Sequence, residues 1–325
     1  MAVFDIEIVG TCNLSCPSCP SGNFLATELS AEKRPSGLMT IELFREILAK
    51  ISRELPGKHS ISLFNWGEPL LHPRVDEFVA AIKEYPSFMS LVSTNLNAKA
   101  DLAALVKARP HWMRVSLSGW TQATYERTHR RGNINLVKSN LYRLRYLMDL
   151  LDSQFDVEVH YHLYKHNLAD AIPTSLAAKE LGFAFHPIEA GFMPLEKAIR
   201  AVRGEPLSPE DQATIANLLI SPRERAHLRR DLDVKDCVLR ANQVAINFDG
   251  SVTLCCGTYD YANNVAKSFL DQSIVDLQKV RAQHELCKKC FEGKLAIDGY
   301  TDPTSAVLKA VVNLRIKELG GQFTY

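Results

Sequence analysis

Cys12-Asn13-Leu14-Ser15-Cys16-Pro17-Ser18-Cys19 is a stretch with three thiols at CxxxCxxC spacing. It lies in a long, polar loop from Gly10 to about Gly37, the cysteine loop, and a loop of this length is usually functional. Gaps this short let one loop wrap a single metal centre. An iron–sulfur cluster normally takes four Cys ligands, so three would leave one iron open to an external ligand. Closely spaced thiols also suit zinc completed by a distant His or Cys, and buried unliganded thiols are a third reading.

The composition is that of an ordinary globular protein, with 325 residues, 46% hydrophobic and 23% charged. Lys and Arg number 38 against 37 Asp and Glu, a balance that indicates neither a nucleic-acid nor a membrane partner. No apolar run approaches membrane-spanning length and no leader precedes the thiols, so we expect a cytoplasmic protein. The eight Cys are expected to remain thiols, because disulfide frameworks belong to secreted and usually smaller proteins.

Six predicted strands alternate with helices in the first part of the chain. The strands are 4–9, 60–65, 89–93, 113–117, 157–164 and 183–188, and the helices are 41–55, 75–85, 98–108, 133–151 and 170–181. This alternation predicts an α/β fold with a parallel sheet and right-handed crossovers, either open or curled into part of a barrel. Polar signals lie at the C-terminal ends of the strands, where such sheets place their sites.

The other five Cys lie in the C-terminal part of the chain, around a predicted hairpin. Strands 244–248 and 251–254 are joined by Asp249-Gly250, a strong hairpin signal. The thiols are Cys237 before the hairpin, Cys255 and Cys256 at its end, and the CxxC pair Cys287 and Cys290 after a helix over 273–285. The turn is expected to bring Cys255 near Cys237, and a CxxC loop adds two more thiolates. Four such ligands saturate a [4Fe-4S] cluster or form a structural zinc site.

The N-terminal spacing, with Asn13-Leu14 inside it, resembles the cluster loop of the radical S-adenosylmethionine (SAM) superfamily. The resemblance implies a partial (β/α)6 barrel rather than an open sheet. It implies that Cys12, Cys16 and Cys19 hold a [4Fe-4S] cluster whose open iron binds SAM, which is then cleaved reductively to a 5′-deoxyadenosyl radical. A small flavodoxin or ferredoxin is the implied reductant.

The C-terminal pattern C-x12-G-x4-C, from Cys237 through Gly250 to Cys255, is similar to the twitch form of the SPASM domain, an auxiliary-cluster domain carried by some radical SAM enzymes. That resemblance implies a second [4Fe-4S] cluster on Cys237, Cys255, Cys287 and Cys290, used for electron transfer or structure. We therefore predict a partial barrel over 1–192, a helical linker over 193–235, an auxiliary-cluster domain over 236–295 and a C-terminal helix within 296–325.

Several strand-end segments resemble the SAM contacts of the family and occur in the family's order. Gly67-Glu68-Pro69 resembles the GGEP motif, whose backbone receives the SAM amino group, although Trp66 stands at the motif's first Gly. Thr94-Asn95 resembles the ribose-contacting segment, and Ser116 and Ser118 resemble the SAM-contacting serine region. Each residue has a plainer reading as a turn residue or a helix cap.

Three further observations bear on ligand contacts. Arg131 is the predicted partner of the SAM carboxylate, because Arg forms a forked pair with carboxylates, and its plainer reading is a surface charge. Ser18 stands where many relatives have an aromatic residue that packs on adenine, so adenine packing must come from elsewhere. His160 and His162 are two apart on one strand and share a face, which contacts a polar substrate if it is the barrel interior.

Cys256 is left over once the other thiols are assigned. It is either a small buried apolar residue or a hydrogen-atom donor to a substrate radical, a role that Cys has in radical SAM epimerases of similar layout. We expect hydrogen abstraction from a polar small molecule, such as a sugar or an aminoglycoside-like alcohol, ending in epimerisation or dehydrogenation. Modification of a ribosomally made peptide is the alternative, less favoured because only eleven residues precede Cys12 and peptide modifiers often carry a leader-binding domain. A metal-binding scaffold without catalysis is the third reading.

Overall fold

A computed structural model describes residues 1–24, 34–231, 236–296 and 305–325 of the chain. Parts of three predicted segments lie outside the described residues. They are 25–33 of the cysteine loop, 232–235 at the end of the predicted linker, and 297–304 at the start of the C-terminal segment. The predicted domain boundaries therefore stay a prediction.

Within the described residues, a mixed sheet of nine strands forms the centre of the fold. The strands are β1 (Ala2–Ile6), β2 (His59–Ser62), β3 (Phe88–Thr94), β4 (Trp112–Leu117), β5 (Asp156–Leu163), β6 (Ala184–Glu189), β7 (Gln243–Ile246), β8 (Val252–Thr253) and β9 (Asn264–Ala266). Their order is β6-β5-β4-β3-β2-β1-β7-β8-β9. Strands β1 to β6 pair in parallel and in chain order. The sheet does not close on itself, which confirms the predicted partial barrel.

Helices link the strands and cover one face of the sheet. In chain order they are α1 (Pro20–Asn23), α2 (Ile41–Glu54), α3 (Val75–Lys83), α4 (Leu102–Ala108), α5 (Gln122–Tyr125), α6 (Ile134–Leu150), α7 (Ala171–Glu180), α8 (Leu195–Arg203), α9 (Pro209–Ala216), α10 (Pro222–Leu228), α11 (Val238–Asn242), α12 (Ile274–Gln283), α13 (Glu285–Glu292) and α14 (Ser305–Glu318). Among the helices of the described ranges, none has the length and apolar character needed to cross a bilayer.

Local signals explain where several of these elements begin. Helix α2 starts after Thr40, whose side chain accepts a hydrogen bond from the Leu43 amide at 3.2 Å, as an N-cap does. Helix α4 starts later than predicted because Asp101 caps it. Strand β1 ends at Ile6, earlier than predicted, although the next amide, that of Glu7, still donates to the Ile246 carbonyl at 2.8 Å.

The two faces of the sheet differ in polarity, and this difference positions the site. Val157, Val159 and Tyr161 of β5 are buried in the core, so the alternate residues Glu158, His160 and His162 point to the other face. On β4, Arg114 points to that same face. The Arg114 charge reaches the Asp5 carboxyl on β1, although β1 and β4 are separated by two strands. Asp5 lies between the core residues Phe4 and Ile6 on β1, so it shares this polar face, which is the concave face of the partial barrel.

The predicted C-terminal hairpin continues the barrel sheet. Strand β7 pairs in parallel with β1, and β8 and β9 follow in antiparallel pairing. Beyond the strand, the Phe248 ring fills the space beside Gly10 and Gly37, where a Cβ on either glycine would lie 2.4 Å from a ring atom. The hairpin and the cysteine loop are therefore packed directly together.

One prediction about this region was wrong. The CxxC pair was expected on a loop, but Cys287 and Cys290 both lie within α13. His284 caps this helix through a hydrogen bond from the Leu286 amide at 3.2 Å, and the two Lys between the thiols are good helix formers. A spacing of three residues places both thiols on one helix face, so the pair can still act together.

Candidate metal and SAM site

The three N-terminal thiols line one cavity at the C-terminal ends of the parallel strands. This cavity, the first cavity, has a volume of about 320 Å³. Of the residues predicted from the sequence, its lining includes Cys12, Cys16, Cys19, Gly67, Glu68, Thr94, Asn95 and Ser116. The fold therefore brings together most of the proposed SAM contacts, which come from four different strand ends.

The cysteine loop is held in shape by its own backbone and by neighbouring loops. The Cys19 amide donates to the Cys16 carbonyl at 3.1 Å, and the Ser15 amide donates to the Arg130 carbonyl at 3.1 Å. Gly22 packs against the loop, since a Cβ there would lie 2.3 Å from the Cys16 carbonyl oxygen, a contact that only glycine permits. The positions of the thiols are thus fixed by main-chain contacts.

Polar hydrogens surround the sulfur atoms of this loop. The Leu14 amide lies 3.4 Å from the Cys12 sulfur, the Asn95 side-chain amide lies 3.7 Å from it, and the Ser21 hydroxyl lies 3.5 Å from the Cys19 sulfur. Burial raises the pKa of Cys12 to about 12, so a deprotonated sulfur needs a nearby positive charge. A bound metal supplies that charge and deprotonates the thiol.

The donor set fits a [4Fe-4S] cluster with three protein ligands. Three thiols line one cavity, and hydrogen bonds to ligand sulfurs are a normal feature of such clusters. Within the described ranges, no three His, Cys, Asp or Glu side chains are arranged around a single metal ion. The three thiols border a common cavity of about 320 Å³, and the size of this cavity suits a multi-iron cluster.

The Gly67-Glu68 segment is tightly constrained. A Cβ on Gly67 would lie 1.7 Å from the Val9 carbonyl oxygen, so no larger residue fits. The buried Glu68 carboxylate accepts hydrogen bonds from the Thr94 hydroxyl at 2.5 Å and from the Asn95 amide at 2.8 Å. Burial raises the pKa of Glu68 to about 7 despite these bonds. Its side chain ties the end of β3 to the loop after β2.

Asn95 is held by internal hydrogen bonds as well. Its side-chain amide donates to the Asn13 side-chain oxygen at 3.0 Å, and its side-chain oxygen accepts from the Asn97 amide at 2.8 Å. These bonds orient Asn95 between the cysteine loop and the end of β3. In this arrangement Asn95 joins the two segments and borders the cavity at the same time.

Three predicted SAM contacts do not line the first cavity. Pro69 begins a short 3-10 helix and is buried. Ser118 is buried and its hydroxyl lies 2.5 Å from Nδ1 of His129. Arg131 is exposed and has a positive φ of 68°. The structure thus places the predicted carboxylate partner at the surface and leaves it outside the cavity lining.

Several cavity residues were missed by the sequence analysis. Tyr164 follows β5 and lines the cavity, and its hydroxyl is hydrogen-bonded to that of Ser18 at 2.6 Å. Trp66 lines it too, and its indole N–H donates to the Thr258 carbonyl at 2.8 Å. His129 is the third residue of this kind that lines the cavity. Burial lowers its pKa to about 3, so its side chain is neutral near pH 7. The position of Tyr164 at a strand end was the available signal.

The four C-terminal thiols predicted to act together line a second cavity. This cavity has a volume of about 340 Å³, and Cys237, Cys255, Cys287 and Cys290 all border it. Arg281 is buried nearby and donates to the carbonyls of Leu254 at 2.7 Å and Gln243 at 2.5 Å. Burial raises the pKa of Cys255 to about 12, and the Arg281 charge offsets this only in part, so a deprotonated sulfur here also needs a bound metal. The donor set fits a four-ligand centre.

Cys256 lines neither cavity. Its thiol lies 3.5 Å from the side-chain oxygen of Gln243, and Gln243 in turn donates to the Asp5 carboxylate. Burial raises the pKa of Asp5 to about 6. Since Asp5 lies on the concave face, Cys256 is near that face, and it is also close enough to Cys255 and Cys237 for their charges to act on its thiol.

One chain segment borders both cavities. Gly191 and Met193 line the first cavity and the second. The Met193 amide donates to the Ser18 carbonyl at 3.1 Å, and two residues later the Leu195 amide donates to the Gly257 carbonyl at 2.7 Å. The segment over residues 191–193 therefore borders the cavities of both groups of thiols.

Comparisons with known proteins show which family and which solved structures this chain resembles. Residues 6–149 match the sequence profile of the radical SAM superfamily, and no curated protein sequence matches the chain. The solved structure of anSMEcpe with bound AdoMet (SAM) is 14% identical, with a TM-score of 0.56 over 98% of this chain and 97% of that one.

Two further solved structures are similar to this chain. Streptococcus suis SuiB bound to the precursor peptide SuiA is 13% identical, with a TM-score of 0.56 over 85% of this chain and 64% of that one. BtrN in complex with AdoMet and 2-DOIA is 15% identical, with a TM-score of 0.46 over 92% and 88%. This chain spans less than two thirds of SuiB. At these identities the likeness concerns the fold.

Proposed function

Residues 6–149 match the radical SAM superfamily, and on that premise we propose that the chain is a radical SAM enzyme that cleaves SAM reductively and abstracts a hydrogen atom from a polar small molecule. The observation that carries the proposal is the meeting of Cys12, Cys16 and Cys19 with the Gly67-Glu68 segment at one cavity. Distant parts of the sequence converge there, and their chemistry suits a cluster and its ligand.

Cys12, Cys16 and Cys19 would hold a [4Fe-4S] cluster, which together with SAM supplies the 5′-deoxyadenosyl radical. The protein's part is to bind, orient and shield. Residues 66–68, the SAM segment, border the cavity, and their backbone packs closely against Val9 because Gly67 has no Cβ to meet the Val9 carbonyl oxygen. Asn95 after β3 and Ser116 near the end of β4 also border the cavity and offer polar groups to the ligand.

Tyr164 is the proposed adenine contact. Ser18 occupies the position at which many relatives have an aromatic residue, and its hydroxyl is bonded to the Tyr164 hydroxyl at 2.6 Å. Tyr164 lines the cavity, so an aromatic ring is supplied beside Ser18 by the end of β5. The ring offers a flat apolar surface to a purine.

The substrate is proposed to bind on the concave face of the sheet. Arg114, His160 and His162 project from neighbouring strands onto this face, and His160 and His186 stack edge to face with centroids 5.4 Å apart. The Arg114 Nε atom is buried without a hydrogen-bond partner among the described residues. A buried donor of this kind is satisfied by a polar ligand, which favours a substrate rich in hydroxyl or acidic groups.

Peptide modification is the second candidate, and specific observations support it. SuiB was solved with a precursor peptide and anSMEcpe with the Cp18Cys peptide, and both have TM-scores above one half with this chain. The concave polar side chains nevertheless suit a compact polar molecule better than an extended apolar peptide.

Epimerisation is the proposed outcome, with Cys256 returning a hydrogen atom to the substrate radical. Cys256 lies near the concave face beside Gln243 and Asp5 and does not line the second cavity. An S–H bond is weaker than most C–H bonds, so the transfer is downhill. If Cys256 does not take part, dehydrogenation is the remaining outcome.

Cys237, Cys255, Cys287 and Cys290 would hold a second [4Fe-4S] cluster, and four protein ligands leave it to electron transfer or structure. The reductant is proposed to be a flavodoxin or a ferredoxin.

The test uses anaerobically reconstituted protein with SAM and dithionite. Wild type should release 5′-deoxyadenosine, and Cys16→Ala should release none, while Cys256→Ala serves as a matched thiol control and should still release it. Zinc in place of iron and sulfide, with no visible absorption, would overturn the proposal and support a non-catalytic scaffold. In deuterated water, a returned substrate carrying deuterium supports epimerisation, and loss of two hydrogens supports dehydrogenation.

A further inference from the structure

A buried carboxylate lies behind the SAM segment. Glu7 follows β1 and is only 1% exposed. Its Oε1 atom accepts hydrogen bonds from two consecutive amides, those of Trp66 and Gly67, each at 2.9 Å. A single carboxylate oxygen thus fixes the orientation of two adjacent peptide groups in the segment that borders the first cavity.

These bonds determine what the segment can offer a ligand. The next amide, that of Glu68, donates to the Thr11 carbonyl at 2.9 Å. All three backbone N–H groups of the SAM segment therefore donate to Glu7 or to Thr11, on the side of β1 and the cysteine loop, and none is left for a ligand. What remains for a ligand is carbonyl oxygen, and carbonyl oxygens bind an ammonium group, as in the methionine part of SAM.

The other oxygen of Glu7 is paired with a cation that reaches the C-terminal part of the chain. Oε2 accepts from Arg34, which is 8% exposed. The Arg34 guanidinium lies 4.7 Å from the centre of the Tyr259 ring and 5.2 Å from that of Tyr261, within the range of cation–π attraction. Both tyrosines follow soon after Cys255, a residue of the second cavity.

We propose that Glu7 is a positioning residue for SAM. It holds the SAM segment in the orientation that receives the ammonium group, and Arg34 links this orientation to the region of the second group of thiols. The inference rests on the proposed function, because it assumes that SAM binds at the first cavity. It adds a residue outside the motifs that indicated SAM binding.

Single substitutions are poor tests, because removing one partner of a buried ion pair leaves a charge without compensation and destabilises the protein. A pair of double variants avoids this. Glu7→Gln with Arg34→Met keeps an oxygen acceptor for the two amides, and Glu7→Leu with Arg34→Met removes it at similar volume. Both lack the ion pair, so they differ only in the side-chain amide group of Gln, which supplies the acceptor.

The measurement is the dissociation constant for SAM and, separately, for 5′-deoxyadenosine, which lacks the amino-acid part. Both are taken by anaerobic calorimetry on reconstituted protein of verified iron content. We expect the Leu variant to bind SAM at least about tenfold more weakly than the Gln variant, a difference of ~1.4 kcal/mol. We expect 5′-deoxyadenosine to bind the two variants equally.

Equal SAM affinity of the two variants overturns the inference, and so does an equal loss of affinity for both ligands, which indicates a general structural effect. If wild type does not bind SAM at all, the proposed function fails instead. If the Leu variant does not fold, hydrogen exchange of wild type decides. Protection of the Trp66 and Gly67 amides before SAM is added supports the inference, and protection that arises only with SAM overturns it.

Discussion

Replacing Tyr164 with Leu should weaken the binding of SAM by removing the ring proposed to pack on adenine. Stacking of a base on an aromatic side chain contributes about 1–3 kcal/mol. The dissociation constant should therefore rise by a factor of about 5 to 150. Tyr164→Phe is the matched control, because it loses the 2.6 Å hydrogen bond to Ser18 but keeps the ring, and we expect a change of threefold or less.

A second-site change makes this prediction sharper. Ser18→Phe in the Tyr164→Leu background returns an aromatic ring from the neighbouring position and should restore at least about half of the lost binding free energy. The assay is equilibrium dialysis with labelled SAM under anaerobic conditions, with 5′-deoxyadenosine as a competitor. Affinity for 5′-deoxyadenosine should fall in parallel, the opposite of the expectation for Glu7. An unchanged dissociation constant in Tyr164→Leu, or an equal loss in Tyr164→Phe, refutes the assignment.

Three further outcomes can be checked. Gly67→Ala places a Cβ 1.7 Å from the Val9 carbonyl oxygen, so the backbone must move, and we expect calorimetry to show SAM affinity at least about tenfold lower. Burial raises the folded-state pKa of Asp5 from 3.8 to about 6. The contribution of this carboxyl to stability is therefore largest below about pH 4 and is lost as pH rises through 6. In urea unfolding, the free energy of unfolding of wild type, taken relative to that of Asp5→Asn, should fall by roughly 1 kcal/mol between pH 5 and 8. The same pH dependence in the two proteins would contradict this prediction. Iron analysis should give about eight Fe per chain for wild type and for Cys256→Ala, and about four for Cys255→Ala. Equal iron contents in the two variants would contradict the assignment of Cys255 as a cluster ligand.

The sheet and the location of the site could be predicted because both follow from local patterns. Alternating strands and helices of ordinary length specify parallel pairing, and polar residues such as Asn95 and Ser116 stand directly at strand ends. The spacing of the thiols predicts which of them lie together, since Cys12, Cys16 and Cys19 share one short loop.

Contacts between distant residues could not be read in the same way. Glu7 reads as an ordinary polar residue beside a strand, and its partners Arg34 and Trp66 are 27 and 59 positions away. Arg131 matched a chemical need, but the local turn, with a positive φ, directs it to the surface. The helical position of Cys287 does not follow from the CxxC spacing, because both a loop and a helix can bring two such thiols together.

The pairing of β7 with β1 makes the two halves of this protein inseparable. β1 has β2 on one side and β7 on the other, so a chain that ended before residue 243 would turn a central strand into an open edge, with bare amides and carbonyls that invite aggregation. It would also lose the Phe248 ring beside Gly10 and Gly37 and leave an empty space under the cysteine loop. We therefore expect that residues 1–242 alone would not fold into a unit that binds iron. A chimera with the C-terminal part of a relative would have to keep the pairing between β1 and β7.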